Sequence, residues 1–311
     1  MESLRERLLG GSERALARAM TLIEAGAPEG QALLTSVRDR TGRAAVVGIT
    51  GAPGAGKSTL TDGLIAAARA RGRRVGVVAI DPTSPFSGGA ILGDRIRMTR
   101  WHSDAGVFIR SMATRGQLGG LAAATLQVVA LLDAAGFDSI FVETVGVGQS
   151  EVDVVQAADT TVVVLTPGQG DGVQAFKAGI MEIADVFCIN KYDHPGADRL
   201  RREIRAALEL GGRSSGWEPP IVGTVASRGE GVEELLERLD AHRDFLGRSG
   251  HIDGARRRRV RAEVAAVLGE RLRRAMAERE TEAVDAVLSG RASPGEVVDA
   301  LLARLSGAGR G

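Results

Sequence analysis

Apolar residues along this chain recur with two periods. In residues 4 to 40 the spacing is helical: Leu4, Leu8, Leu16, Met20 and Ile23, then Leu33, Leu34 and Val37, with a break near Gly26-Ala27-Pro28. From residue 44 to about 245, short apolar runs alternate with helical stretches. The runs Ala45–Thr50, Arg74–Ile80, Val107–Ser111, Phe137 to Glu143, Thr160–Thr166, Ala184–Ile189 and Ile221–Ala226 read as strands. Strands separated by helices predict an α/β fold, a mostly parallel sheet with helices on both faces. Beyond residue 246, Val260, Val264, Val267, Leu268, Leu272 and Met276 form an amphipathic helical stripe. Ser293-Pro294 is a cap and first-turn pair for a last helix carrying Val297, Val298, Leu301 and Leu302. Three segments are expected: an N-terminal helical extension (1–43), a nucleotide-binding domain (44–245), and a C-terminal helical tail (246–311).

The first strand runs into Gly51-Ala52-Pro53-Gly54-Ala55-Gly56-Lys57-Ser58-Thr59, and helical spacing resumes at Leu60, Leu64 and Ala68. Strand, glycine-rich loop and helix in that order are the context a G-x-x-x-x-G-K-[ST] phosphate loop requires. Its glycines let backbone N–H groups turn onto phosphate oxygens at a helix N-terminus. Lys57 would reach the β- and γ-phosphates, and the Ser58 hydroxyl would ligate Mg²⁺.

Base selection points further along the chain. The run Ala184–Ile189 ends in Asn190-Lys191-Tyr192-Asp193. A carboxylate at Asp193 can accept from both N1–H and the 2-amino group of guanine, and adenine offers neither. Two charge-assisted hydrogen bonds lost would cost ATP on the order of a hundred-fold or more. Lys191 would lay its stem over the base, Asn190 would brace the loop, and the Ala226-Ser227 segment could offer backbone N–H groups to the 6-oxo group. GTP is therefore favoured over ATP.

Acidic residues supply the remaining chemistry. Glu143 closes a strand just before Thr144-Val145-Gly146. An acidic residue there can hold Mg²⁺, directly or through water, while the Gly146 N–H senses the γ-phosphate. Asp81 ends the second strand, and Asp94 follows a glycine-rich stretch. Either could hold Mg²⁺ or its water shell, or orient the attacking water. Val147 stands where Ras-type GTPases carry a water-orienting Gln, so either intrinsic hydrolysis is slow or the water is oriented from elsewhere. Gln149 is close but shifted.

These blocks together resemble the MeaB-type GTPase family, whose members are also called ArgK or LAO/AO transport proteins. The resemblance rests on Gly51 to Thr59, Asp81-Pro-Thr-Ser-Pro, the stretch Gly88 to Met98, Ile109 to Gly116, Glu143 to Glu151, and Asn190 to Asp193. It implies a SIMIBI-class G protein that gates adenosylcobalamin delivery to a cobalamin-dependent acyl-CoA mutase, protects the mutase and helps expel damaged cofactor. It further implies that Asp81, Asp94 and Glu143 surround Mg²⁺, and that Gln169-Gly170-Asp171 and Lys177 form a third switch. A homodimer built partly through the C-terminal tail follows from the same resemblance. Departures are Tyr192 before Asp193, a loose Thr224-Val225-Ala226-Ser227 segment, and a match that fades beyond about residue 246. The competing reading is a kinase that transfers phosphate from GTP or ATP to a protein or small molecule.

Composition narrows the classes. A net charge of +1 gives no bulk drive toward nucleic acid or anionic membrane, and 3% aromatic residues argue against a base-stacking RNA surface. The run Arg256-Arg257-Arg258-Arg259 reads as a solvated helix entrance. No signal peptide and no apolar run of spanning length is evident, and the one cysteine, Cys188, reads as a buried hydrophobe. A cytoplasmic protein with no membrane partner is expected. The four histidines have no cysteine partner at metal-ligand spacing, which counts against a nickel-insertion GTPase, and no Asp-x-His-x-x-Gly pattern occurs, so no tightly held cobalamin is expected.

Overall fold

The computed structural model describes residues 2–81, 99–113, 120–144, 158–168, 180–210, 216–277 and 279–307. Three helices come first: α1 (Glu2–Leu9), α2 (Glu13–Glu24) and α3 (Pro28–Ser36). Besides the break at Gly26-Ala27-Pro28, a second one occurs at Gly10 to Ser12. There Ser12 caps α2, its Oγ accepting from the Ala15 N–H at 3.4 Å. Then follow β1 (Ala45–Thr50), α4 (Lys57–Ala70), β2 (Val75–Asp81), β3 (Val107–Ala113), α5 (Gly120–Ala134), β4 (Ser139–Thr144), β5 (Thr160–Leu165), the short α6 (Ile180–Ile183), β6 (Val186–Asn190), α7 (Ala197–Leu210), β7 (Ile221–Thr224), α8 (Val232–Arg248), α9 (His251–Ala277), α10 (Glu280–Leu288) and α11 (Pro294–Gly307).

The strands form one sheet in the order β3-β2-β4-β1-β5-β6-β7, and every described pairing between them is parallel. Every residue of β4, β5 and β6 is buried, as strands covered on both faces must be. One face carries α1, α2 and α5: Leu8, Met20, Leu131 and Leu132 share a core with Val46, Val78 and Ile140. On the other, Leu60, Leu64 and Ile65 of α4 and Leu235 and Leu239 of α8 pack on Val47, Ile49, Phe141 and Val162. Each such fully buried side chain is worth about 1.5–3 kcal/mol. A third cluster seats α7 on β5 and β6 through Leu200, Ile204, Val163 and Phe187.

Two polar devices fix the sheet's N-terminal edge. Asp133, buried at the end of α5, accepts from the backbone N–H groups of Gly42, Arg43 and Ala44 at 2.5, 3.0 and 2.9 Å, anchoring the chain as it enters β1. His242 of α8 is buried between Trp217 and Phe245, its Nδ1 2.8 Å from the Thr160 hydroxyl. Burial pushes His242 down to about 4, outweighing Asp185 Oδ1 at 3.6 Å.

In helix α9 the apolar stripe is split between two faces. Its inner side is mixed: Ala255 is buried and Val267, Leu272 and Met276 are half-buried, while Glu263 is buried against Arg38 (2.5 Å) and Arg259 reaches buried Asp159 (3.3 Å). The apolar Val260, Val264 and Leu268 point outward and are 47%, 63% and 55% exposed. Arg256, Arg257 and Arg258 are exposed, as a solvated run requires, but the run is not at the helix entrance. It lies inside the helix, with Arg259 only 12% exposed and Arg256 donating to the Gly42 carbonyl. Among the described residues, no helix is long and apolar enough to cross a membrane.

Candidate functional site

The C-terminal ends of β1, β4 and β6 converge on the loop between β1 and α4. That loop turns through left-handed backbone at Gly51 (φ +142°) and Gly56 (φ +88°), where any Cβ would collide. One at Gly51 would lie 2.2 Å from the Val164 carbonyl oxygen, and one at Gly56 would lie 2.3 Å from Asn190 Nδ2. Glycine at these two positions is therefore a packing requirement as well as a conformational one. Lys57 folds back over the loop, its Nζ donating to the carbonyls of Gly51 (2.7 Å) and Ala52 (3.1 Å). It is 6% exposed, so its charge sits at the start of α4 beside the loop.

Behind Lys57, the strand-end carboxylate of Glu143 meets the helix. Ser58 Oγ donates to Glu143 Oε1 at 2.6 Å, and Thr61 Oγ1 lies 2.8 Å from Oε2 and 3.0 Å from the Lys57 carbonyl. Parallel pairing puts Glu143 level with Ile49 of β1 and Ala79 of β2, which carries it to the loop's base. Thr61 was not anticipated. The signal was present, because Ser58 and Thr61 are i and i+3 on one helix and share a face. Asp81 ends β2, two residues beyond the Glu143 level. Asp94 and Gly146 lie outside the described residues, as do Gln149, Asp171 and Lys177. An oxygen donor set of one hydroxyl and one carboxylate beside a phosphate loop fits a hard divalent cation such as Mg²⁺. Among the described residues, no group of three or more His, Cys, Asp or Glu could hold a metal by itself.

Asn190 ties three segments together. Its Nδ2 donates to the Ala55 carbonyl (2.8 Å), and its Oδ1 accepts from the Thr224 hydroxyl and the Ala226 N–H, both at 3.1 Å. Lys191 is the one non-glycine residue with positive φ (55°) among those described, and its Nζ donates to the Gly54 carbonyl at 3.0 Å. Such backbone costs of order 1–3 kcal/mol and clusters at ligand clamps. Asp193 is partly exposed, and Arg228 donates to its Oδ2 at 3.1 Å while Glu230 holds the same guanidinium. Because the Ala226 N–H is given to Asn190, the Ser227 N–H is the next backbone donor along this segment.

Tyr192, the departure between Lys191 and Asp193, has a structural partner. Its ring lies against Gly223, where a Cβ would come within 2.6 Å of Cδ2, and its hydroxyl donates to Asp198 at 2.8 Å. Burial and that carboxylate raise the Tyr192 hydroxyl's pKa. The bulky residue is thus accommodated by a glycine on the neighbouring strand and turned away toward α7.

A phosphate loop, a strand-end acid under it and an Asn-Lys-x-Asp strand end around it make a nucleotide-binding edge. Sequence comparison agrees: the family described as methylmalonyl Co-A mutase-associated GTPase MeaB matches residues 16–281. The chain belongs to the MeaB family of GTPases. A Pyrococcus horikoshii protein bearing a GTPase name is 49% identical over 314 residues, 99% of each chain. GTPase ArgK of Escherichia coli is 37% identical over 82% of this chain and 79% of its own. The methylmalonic aciduria type A homolog, mitochondrial, of Caenorhabditis elegans is 36% identical over 82% of this chain and 69% of its own. Among solved structures, a LAO/AO transport system kinase superposes with a TM-score of 0.72 at 28% identity, covering 98% of this chain and 97% of its own. This MeaB-family chain is accordingly a phosphate-loop GTPase with a parallel sheet covered on both faces.

Proposed function

We propose that this chain is a GTP-driven switch acting on a cobalamin-dependent acyl-CoA mutase, methylmalonyl-CoA mutase or a relative, and that it gates adenosylcobalamin loading and protects or reactivates that enzyme. The observation that carries the switch reading is the buried Glu143 carboxylate bonded to Ser58 at 2.6 Å beneath the phosphate loop. It couples the strand after which a γ-phosphate sensor is expected directly to Ser58 in the first turn of α4. The mutase is supported by the family's own description.

In this reading the N–H groups of the Gly51-to-Thr59 segment cradle the phosphates, apart from Pro53, which has none to give. Lys57 leaves the Gly51 and Ala52 carbonyls for the β- and γ-phosphate oxygens. Ser58 and Glu143, with Asp81 and Asp94, hold Mg²⁺, which when bound offsets phosphate charge. Asp193 accepts from the guanine N1–H and 2-amino groups, Lys191 covers the base, and Ser227 donates to the 6-oxo group. Asn190 acts at one remove, keeping Ala55 and Ala226 in register. The outward apolar face of α9, continued by Val284 and Leu288 of α10 and Val298 and Leu302 of α11, is covered by a second copy in a homodimer.

The deciding experiment measures GTP hydrolysis by the purified chain, alone and with the cobalamin-dependent acyl-CoA mutase of the same organism. Slow basal turnover that rises with added mutase is expected. Absence of both stimulation and complex formation would overturn the mutase reading. Transfer of labelled phosphate to an acceptor, in place of its release, would favour the kinase alternative.

A further inference from the structure

At the opposite end of the sheet from the phosphate loop, a cleft of about 420 Å³ opens where α8 turns into α9. Gly42 and Asp159, which precede β1 and β5, form one wall, and Arg243, Asp244, Arg248 and Arg256 form the other. A six-residue strand separates this edge from the loop, roughly 20 Å at strand rise. The volume lies in the range of small-molecule sites.

The charges in this cleft are arranged but not neutralised. Arg243 donates through Nη2 to the Arg43 carbonyl, and Arg256 donates through Nη2 to the Gly42 carbonyl. A carbonyl fixes a guanidinium's position and occupies a donor without cancelling its charge. Gly42 permits the approach, because a Cβ there would come within 3.2 Å of Arg256 Nε. Among the described residues, Arg243 and Arg248 make no ion pair, and Arg256 has only the exposed Asp253 at 3.4 Å. Of the two aspartates lining the cleft, Asp159 is already paired with Arg259 and also attracts Arg256, so Asp244, with Asp253 at the rim, faces three guanidiniums. Pre-positioned arginines with donors to spare are suited to phosphate oxygens, which accept bidentate N–H pairs.

We propose that this cleft is a second ligand site, separate from the nucleotide edge, and that it takes a compact polyanion of the phosphate-bearing small-molecule class. Arg243 and Arg256 act as fixed donors, and Arg248 closes over the ligand from the end of α8.

The test uses the full chain saturated with GDP, so that the phosphate loop is filled, and titrates inorganic pyrophosphate by calorimetry. Saturable binding of one pyrophosphate per chain is expected. The Arg243→Ala/Arg248→Ala double variant should weaken it at least tenfold while leaving GDP affinity unchanged. Arg248→Ala alone, at an exposed position with no bond to lose, should weaken it about threefold and keeps the test open if the double variant misfolds. No saturable binding by the parent chain, or equal binding by Arg248→Ala and the double variant, would overturn the proposal.

Discussion

The nucleotide-binding edge and the α9 flank attach their polar groups to the same sheet in opposite ways. At the nucleotide edge, apolar strands and α4 pack inward, and polar side chains such as Lys57, Glu143 and Asn190 bond the loop's own backbone and hydroxyls. At the α9 flank two charged side chains face the body, Glu263 on Arg38 and Arg259 on Asp159, while Val260, Val264 and Leu268 face outward. The difference teaches that hydrophobic periodicity reports a helix's amphipathicity but not which neighbour its apolar side is for. At the nucleotide edge the polar side chains are satisfied by the loop's own backbone and hydroxyls. A helix held partly by ion pairs leaves part of its apolar stripe available to another surface.

The comparison can be broken at either region, and the largest effect is expected at the loop. Lys57→Ala should raise the dissociation constant for GTP by on the order of a thousand-fold, since two charge-assisted phosphate contacts are lost. Near-normal affinity by calorimetry would remove Lys57 from phosphate binding. At α9, Arg259→Leu strands the buried Asp159 carboxylate and should cost roughly 3 kcal/mol of unfolding free energy at pH 7. Burial already holds the Asp159 carboxyl above its usual range, so the native state takes up a proton more readily than the unfolded chain as pH falls. The deficit should therefore shrink between pH 7 and pH 5, and a deficit independent of pH would show that the ion pair is not its source.

His242 tests the sheet's lower edge with the opposite sign. Its native pKa is about 4 against 6.5 unfolded, so only the unfolded chain gains the proton between those values. Acidification from pH 6.5 to 4 should remove about 3 kcal/mol, and a His242→Gln variant should lose less over that window in chemical denaturation. Asp193→Asn should shift preference from guanine to xanthine nucleotides by about a hundred-fold, because an amide can donate to a 2-oxo group. Unchanged base selectivity in competition binding would dismiss Asp193 as the reader. The smallest effect on the isolated chain is expected from Val264→Asp, within about 0.5 kcal/mol of unfolding free energy. Light scattering should nevertheless show the proposed dimer dissociating; an intact dimer would mean that the outward stripe serves something else.

Much of the fold was legible because strand and helix periods differ sharply. All seven strand segments appear within about two residues of where their apolar runs place them, and Glu143 falls at its strand end. The cap of the last helix was equally plain. Ser293 and Glu296 bond reciprocally, Oε2 accepting from the Ser293 N–H at 2.7 Å and Ser293 Oγ accepting from the Glu296 N–H at 3.3 Å. Harder to see was the pairing of Tyr192 with Gly223, which depends on two strands being neighbours. The same holds for Thr61, whose role exists only because β4 delivers Glu143 to it. The commitment of the Ala226 N–H to Asn190 was hidden for a like reason, since it requires β6 and the segment after β7 to lie at a set distance.

What this sequence determined by itself is local: which residues form strands and helices, where the phosphate loop turns, and which side chains stand at strand ends. Those follow from backbone sterics and periodicity, which act within a few residues. Only the tertiary structure decided which carboxylate meets which hydroxyl, that Gly51 and Gly56 are forced by Val164 and Asn190, and that α9 turns Arg259 and Glu263 inward and part of its apolar stripe outward. Such outcomes depend on desolvation and on distances between segments far apart in the chain. A buried charge is tolerable only where a partner from another element happens to arrive.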